Sequence, residues 1–168
     1  MRQITLLMLL GGFAHLGQAQ EFPKAFSLPI ELGQGFNQPA GQSPLYLVTL
    51  QAVPQVTLIP GRLRLGAVLG GFYPGGRVGG LAGPRLTIKL LDGPPILSAT
   101  SFNVHLLGEF LWAPAPGSGR QLLGGGIGLG SSDLLTVSLK LHRDLMQPAT
   151  WFQFGLGYNP AKRKNPPL

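Results

Sequence analysis

One period dominates this chain: apolar and polar residues alternate strictly, two by two, through segment after segment. In LLTVSLKLHR, Leu135, Val137, Leu139 and Leu141 share one face, while Thr136, Ser138, Lys140 and His142 share the other. PRLTIKLL sets Leu86, Ile88 and Leu90 against Arg85, Thr87 and Lys89. FNVHLLGEFLW sets Phe102, Val104, Leu106, Phe110 and Trp112 against Asn103, His105 and Glu109. A repeat of two is the signature of a strand with one oily and one polar face. No helical period persists beyond the N-terminus. The chain therefore reads as all-β.

Turn signals divide it into eight segments, near 25–33, 45–58, 62–72, 78–91, 97–112, 120–130, 133–143 and 150–158. The first is interrupted by Pro29, which lacks the donor a ladder needs and prefers an edge or bulge. Three connections are tight: IPG at 59–61, DGPP at 92–95 and SSD at 131–133. The four between them, GFNQPAGQS, YPGGRV, APAPGSG and DLMQPA, are longer and richer in Gly, Pro and polar residues. Short turns alternating with longer loops predict an up-and-down antiparallel barrel of about eight strands, with both chain ends on the short-turn rim.

Polarity decides which face looks inward. Only 11% of the residues are charged, against about a quarter in soluble domains. The oily faces carry Tyr46, Trp112 and Tyr158 near strand ends, as an aromatic girdle does. The expectation is a transmembrane β-barrel with lipid on the apolar side. The N-terminus agrees: Arg2, an apolar run from Ile4 to Leu10, and Gly17-Gln18-Ala19 have the anatomy of a signal peptide cleaved after residue 19. Residues 20–160 then form the barrel and 161–168 a basic tail. The mature protein is therefore expected to be exported.

Several function classes fall away. Without cysteine there is neither a disulfide framework nor a thiolate metal site. Once Arg2 leaves with the signal, twelve of the 13 Lys and Arg remain against 6 acidic residues. They are spread thinly, and only Lys162-Arg163-Lys164 cluster, so nucleic acid is not an expected partner. LLGGGIGLG at 122–130 lacks the G-x-G-x-x-G spacing of a phosphate loop and leads to a strand, not a helix. Its Gly124, Gly126 and Gly128 face the lumen, with Gly66 and Gly70 on one strand and Gly155 and Gly157 on another. Eight-stranded interiors barely admit side chains. The glycines are expected to make room for Arg64, Arg85, Trp151 or Phe72.

At this point GRLRLGAVLGGFY, RLTIKLLDGPP and the closing WFQFGLGYNP resemble the small outer-membrane barrels of Gram-negative bacteria, the Bacteroidetes-type porin-like proteins above all. The resemblance covers residues 44–160. It implies insertion by the outer-membrane assembly machinery, which reads an aromatic-rich last strand: here Trp151, Phe152, Phe154 and Tyr158. The chain departs from the family by running on through PAKRKNPPL.

The expected site is a lumenal network of Arg64, Arg85, Lys89, His105, Glu109, Lys140 and His142, with Glu109 as the one acid in mid-lumen. His105 and Glu109 share a face four residues apart, about 13 Å along a strand, too far for direct contact. Histidines and carboxylate lie on separate strands, so no metal and no cofactor are expected. Catalysis on lipid needs a nucleophile or base aimed at the bound lipid, whereas Ser138, the nearest serine in pattern, lies inward beside Lys140, and no catalytic residue is assigned. The favoured role is a non-enzymatic structural or surface-interaction barrel with a plugged lumen, monomeric among outer-membrane lipids. The alternatives are a small-solute channel, a lipid-modifying enzyme, or a lipocalin-like carrier of a lipophilic ligand.

Overall fold

The computed structural model describes residues 26–160, apart from 75, 77, 97–99, 115–118 and 132–133. The expected signal segment 1–19 and the tail 161–168 lie outside the described residues. The alternating segments become β1 (Ile30–Pro39), β2 (Leu45–Ala52), β3 (Gln55–Ile59), β4 (Leu63–Pro74) and β5 (Gly79–Ile96). They continue as β6 (Thr100–Ala113), β7 (Arg120–Ser131), β8 (Leu135–Asp144) and β9 (Ala149–Tyr158). Every neighbour pair is antiparallel, in the order β2-β1-β9-β8-β7-β6-β5-β4-β3. β2 also pairs with β4, through Val48↔Tyr73 and Leu50↔Gly71. That ladder closes the sheet. β2 and β3 are two halves of one stave, so nine segments build an eight-stranded barrel.

The stagger can be followed residue by residue. A path of paired residues runs from Leu63 through Ile88, Leu106, Ile127, Leu139, Phe154, Gln34 and Val48 to Tyr73. It circles the barrel once and returns to β4 ten residues above its start. With standard strand spacings, this tilts the staves by about 41° and raises the path about 3 Å per stave, or about 25 Å per circuit.

Prolines account for most departures from the expected boundaries. The first strand begins after Pro29, and among the described residues upstream Ser27 bridges to Gln55. It runs on to Pro39, so the first loop shrinks to 40–44. The segment expected at 45–58 breaks at Val53-Pro54, where Pro54 offers only its carbonyl, 3.0 Å from Ala67 N. DGPP is no turn. Asp92 pairs with Asn103 and Pro95 with Ser101, and two register shifts absorb the prolines. A bulge is the device by which a strand carries residues unable to join the ladder. The IPG turn does form: Gly61 takes φ 72° and Arg62 N reaches Ile59 O at 3.1 Å, the Pro-Gly geometry of a type II turn.

Inward positions hold polar and charged residues through the middle of the barrel and its turn side. The loop-side end of the lumen is instead apolar, filled by Leu47, Phe72, Leu81, Leu111, Leu122 and Trp151. Outward positions are almost uniformly apolar. Leu141 is 56% exposed and Leu50 59%, whereas Arg85 is 1% exposed. The polarity of a soluble protein is inverted.

Candidate functional site: the lumenal charge cluster

Alternation aims Glu31 of β1, Gln51 of β2, Arg85 of β5, Glu109 of β6, and Lys140 and His142 of β8 at the barrel axis, where all are buried. Arg85 is the hub. Its two terminal nitrogens grip both oxygens of Glu31, Nη2 to Oε2 at 2.9 Å. Nη2 also forms an ion pair with Glu109 Oε1. Lys140 Nζ donates to Glu31 Oε2 at 2.6 Å and lies 3.4 Å from Glu109 Oε1. His142 Nε2 stands 2.7 Å from Glu109 Oε2, and facing an acceptor-only carboxylate it is the donor. Gln51 Oε1 accepts from Arg85 at 3.5 Å and from Lys140 at 3.4 Å.

Two cations thus face two carboxylates, and the core of the cluster is neutral. Burial of such ions costs several kcal/mol each, and only mutual attraction with dense hydrogen bonding offsets it. A planar fork suits Arg85 to this hub better than an ammonium would, because it can serve two carboxylates at once.

The other expected network residues lie elsewhere. Arg64, Lys89 and His105 are buried on the turn side. Arg64 Nε reaches Thr57 Oγ1 at 3.4 Å, and a cavity of about 40 Å³ lies among Arg64, Arg85, Gln55, His105, Thr136 and Asn159. Glu109 takes its imidazole from His142, on another strand, and not from His105. Nor is Glu109 the one acid at this level. Glu31 makes as many contacts, and its signal was its phase, inward with Ser27 and opposite Ile30 and Leu32.

On the loop side Trp151 packs on Phe72, ring centroids 5.1 Å apart, and Arg120 lies 5.6 Å over the Trp151 ring. Arg120 Nε is 3.8 Å from Asp144 Oδ2. Asp144 Oδ1 accepts from Met146 N at 2.9 Å and Gln147 N at 3.1 Å, which ties the lumen lid to the loop at 145–148.

Of the groups expected to fill the space that glycines leave, Phe72 does so, against Gly79, and the other lumenal glycines shelter different groups. A Cβ on Gly124 would stand 2.9 Å from the His142 ring, and one on Gly79 would stand 2.4 Å from the Phe72 ring. Gly66 and Gly70 face Gln55 and Gln51, Gly126 the Lys140 backbone, Gly128 the Thr136 and His105 side chains, Gly155 Ser138, and Gly157 Glu31. In the last strand Trp151 points inward, while Phe152, Phe154 and Tyr158 point outward. Among the described residues no group of three or more His, Asp or Glu could hold a metal ion.

Glu109→Gln keeps the shape of the cluster but leaves Arg85 and Lys140 with one carboxylate. A loss of about 2 kcal/mol follows. The barrel loses its heat-resistant gel mobility at a lower temperature than wild type; an unchanged profile would show that Glu109 does not anchor the interior.

No protein-family model matches this chain, and no curated protein does. Among solved structures it is similar to Ail, the attachment invasion locus protein of Yersinia pestis: 10% identity, 84% of this chain, 99% of that chain, TM-score 0.43. It is also similar to the N-terminal β-barrel domain of Pseudomonas aeruginosa OprF: 14% identity, 79% of this chain, 96% of that chain, TM-score 0.40.

Proposed function

We propose that this protein is an integral outer-membrane barrel with a sealed lumen, acting in a structural or surface-interaction role and not as an enzyme. One observation carries the reading: leucine, isoleucine, valine and phenylalanine cover the outside while the ions sit within. Soluble monomers rarely leave contiguous apolar patches beyond a few hundred Å², and here such a surface encircles the whole molecule. Staves of ten residues or more, tilted by about 41°, stand about 25 Å or more along the axis, enough for the apolar band of such barrels. Tyr46, Tyr73 and Trp112 each stand second from a loop-side strand end, and Tyr158 ends β9 on the turn side. They occupy the places where amphipathic rings meet headgroups. No helix among the described residues is long and apolar enough to cross a membrane; crossing by strands needs none, because a closed barrel satisfies its backbone internally.

The sealed interior favours a non-conducting protein. A neutral ion cluster fills mid-lumen and the Trp151–Phe72 layer closes the loop end. Connections of four to six residues at 40–44, 75–78, 114–119 and 145–148 suit small contacts at the cell surface. Lipids of the outer membrane are its solvent. The outward aromatics of β9, Phe152, Phe154 and Tyr158, are what the assembly machinery reads.

The two tryptophans test this placement. In vesicles with brominated acyl chains, Trp112, 47% exposed, is quenched in a Trp151→Phe variant. Trp151, fully buried, stays bright in a Trp112→Phe variant. Equal quenching of both, or of neither, overturns the reading, and stepwise conductance in planar bilayers overturns the sealed lumen.

A further inference from the structure

Among the described residues, one outward side chain breaks the apolar wall away from the strand ends. Gln34 is the fifth of ten residues in β1 and points outward, between its pairing partners Val48 and Phe154. Among the described side chains of the strands, the other outward amides, hydroxyls and charges, Gln38, Gln121, Arg143 and Thr150, each stand second from a loop-side strand end. Gln34 lies two steps below Tyr73 on the staggered path, hence about 6 Å deeper. Its amide hydrogen-bonds no described residue. Beside it the wall is concave: a hollow of about 560 Å³ is lined by Val48, Leu50, Ala52, Leu69, Gly71 and Tyr73. Ala52 and Gly71 keep its floor low.

We propose that the β1–β2–β4 wall docks a second copy of this chain inside the membrane. The inference rests on the membrane placement argued above, and replaces the monomer expected from sequence. A carboxamide offers both donor and acceptor, so it is complementary to itself. A two-fold axis along the membrane normal puts Gln34 of both copies at one height, where each amide donates to the other. In hydrocarbon such a pair is the alternative to two unsatisfied amides. The same axis sets Leu32 of the two copies at one height and Phe36 of the two at another, flanking the amide pair. Small residues on the hollow's floor permit close backbone approach, as at packed interfaces between membrane segments.

The chain has no cysteine, so one introduced thiol reports on itself alone. Gln34→Cys and, on the far wall, Ile127→Cys are expressed in outer membranes, checked for heat-modifiable mobility, and oxidised. A disulfide needs Cα atoms within about 7 Å. Gln34→Cys gives a covalent dimer and Ile127→Cys does not. In vesicles, Gln34→Leu associates about threefold to thirtyfold more weakly than wild type, while Gln34→Asn retains part of the association. Gln34→Cys that is inserted and heat-modifiable yet stays monomeric overturns the docking and leaves the membrane placement standing. Equal cross-linking of Ile127→Cys also overturns it, because collisions then suffice. A soluble Gln34→Cys protein overturns both.

Discussion

Arg85→Met lowers the stability of the folded barrel by about 3–5 kcal/mol, because it leaves the Glu31 and Glu109 carboxylates buried with Lys140 as their shared cation. Urea unfolding in vesicles, read from gel mobility, measures the loss. The ion-cluster account makes a sharper demand on the double variant. Adding Glu109→Gln to Arg85→Met removes the surplus carboxylate and lets Lys140 serve Glu31 alone. The double variant is therefore more stable than additivity of the two single losses allows, by 1 kcal/mol or more on the scale of coupled neighbours. Strict additivity would mean that Arg85 and Glu109 do not act as one unit.

Trp151→Ala has an effect of similar size through a different cause. The ring is fully buried, packs on Phe72 and carries the Arg120 guanidinium on its face. Its removal empties the loop-side lumen, and large aromatic truncations in packed interiors cost about 3–5 kcal/mol. Trp151→Phe keeps most of the contact and loses about 1 kcal/mol. The same unfolding assay separates them. If Trp151→Ala unfolds with wild type, the apolar layer is not part of what holds the barrel closed.

Alternation made the staves legible, because a thin wall between lipid and lumen tolerates no drift in phase. LTVSLKLH, NVHLLGEFLW and WFQFGLGY each keep in the structure the faces their pattern assigns. Proline obscured the ends: a missing donor reads as a stop, yet β5 carries Pro94 and Pro95 past a bulge. Gln34 obscured the first strand for the opposite reason. A polar residue on the oily face reads as the end of a strand, and Phe36 and Asn37 then read as loop. Convergence across the lumen could not be read along the chain at all. Arg85 and Glu31 are 54 residues apart, Lys140 and Glu31 are 109 apart, and only the ten-residue stagger brings their levels together. The apolar loop-side lumen blurs the alternation, because the inward Leu47, Leu81 and Leu122 stand beside Tyr46, Gly80 and Leu123 and put no polar residue on the lumenal face there.

The ladder between β1 and β9 joins the first stave to the last across ten paired residues, Ile30↔Tyr158 to Pro39↔Ala149. A nascent chain lacking its final ten residues of wall therefore has two bare edges, on β1 and on β8, each a row of unmet donors and acceptors. Lipid cannot meet those groups. Entry into the bilayer must then wait for the whole chain, or proceed while another protein lends its own edge to the gap.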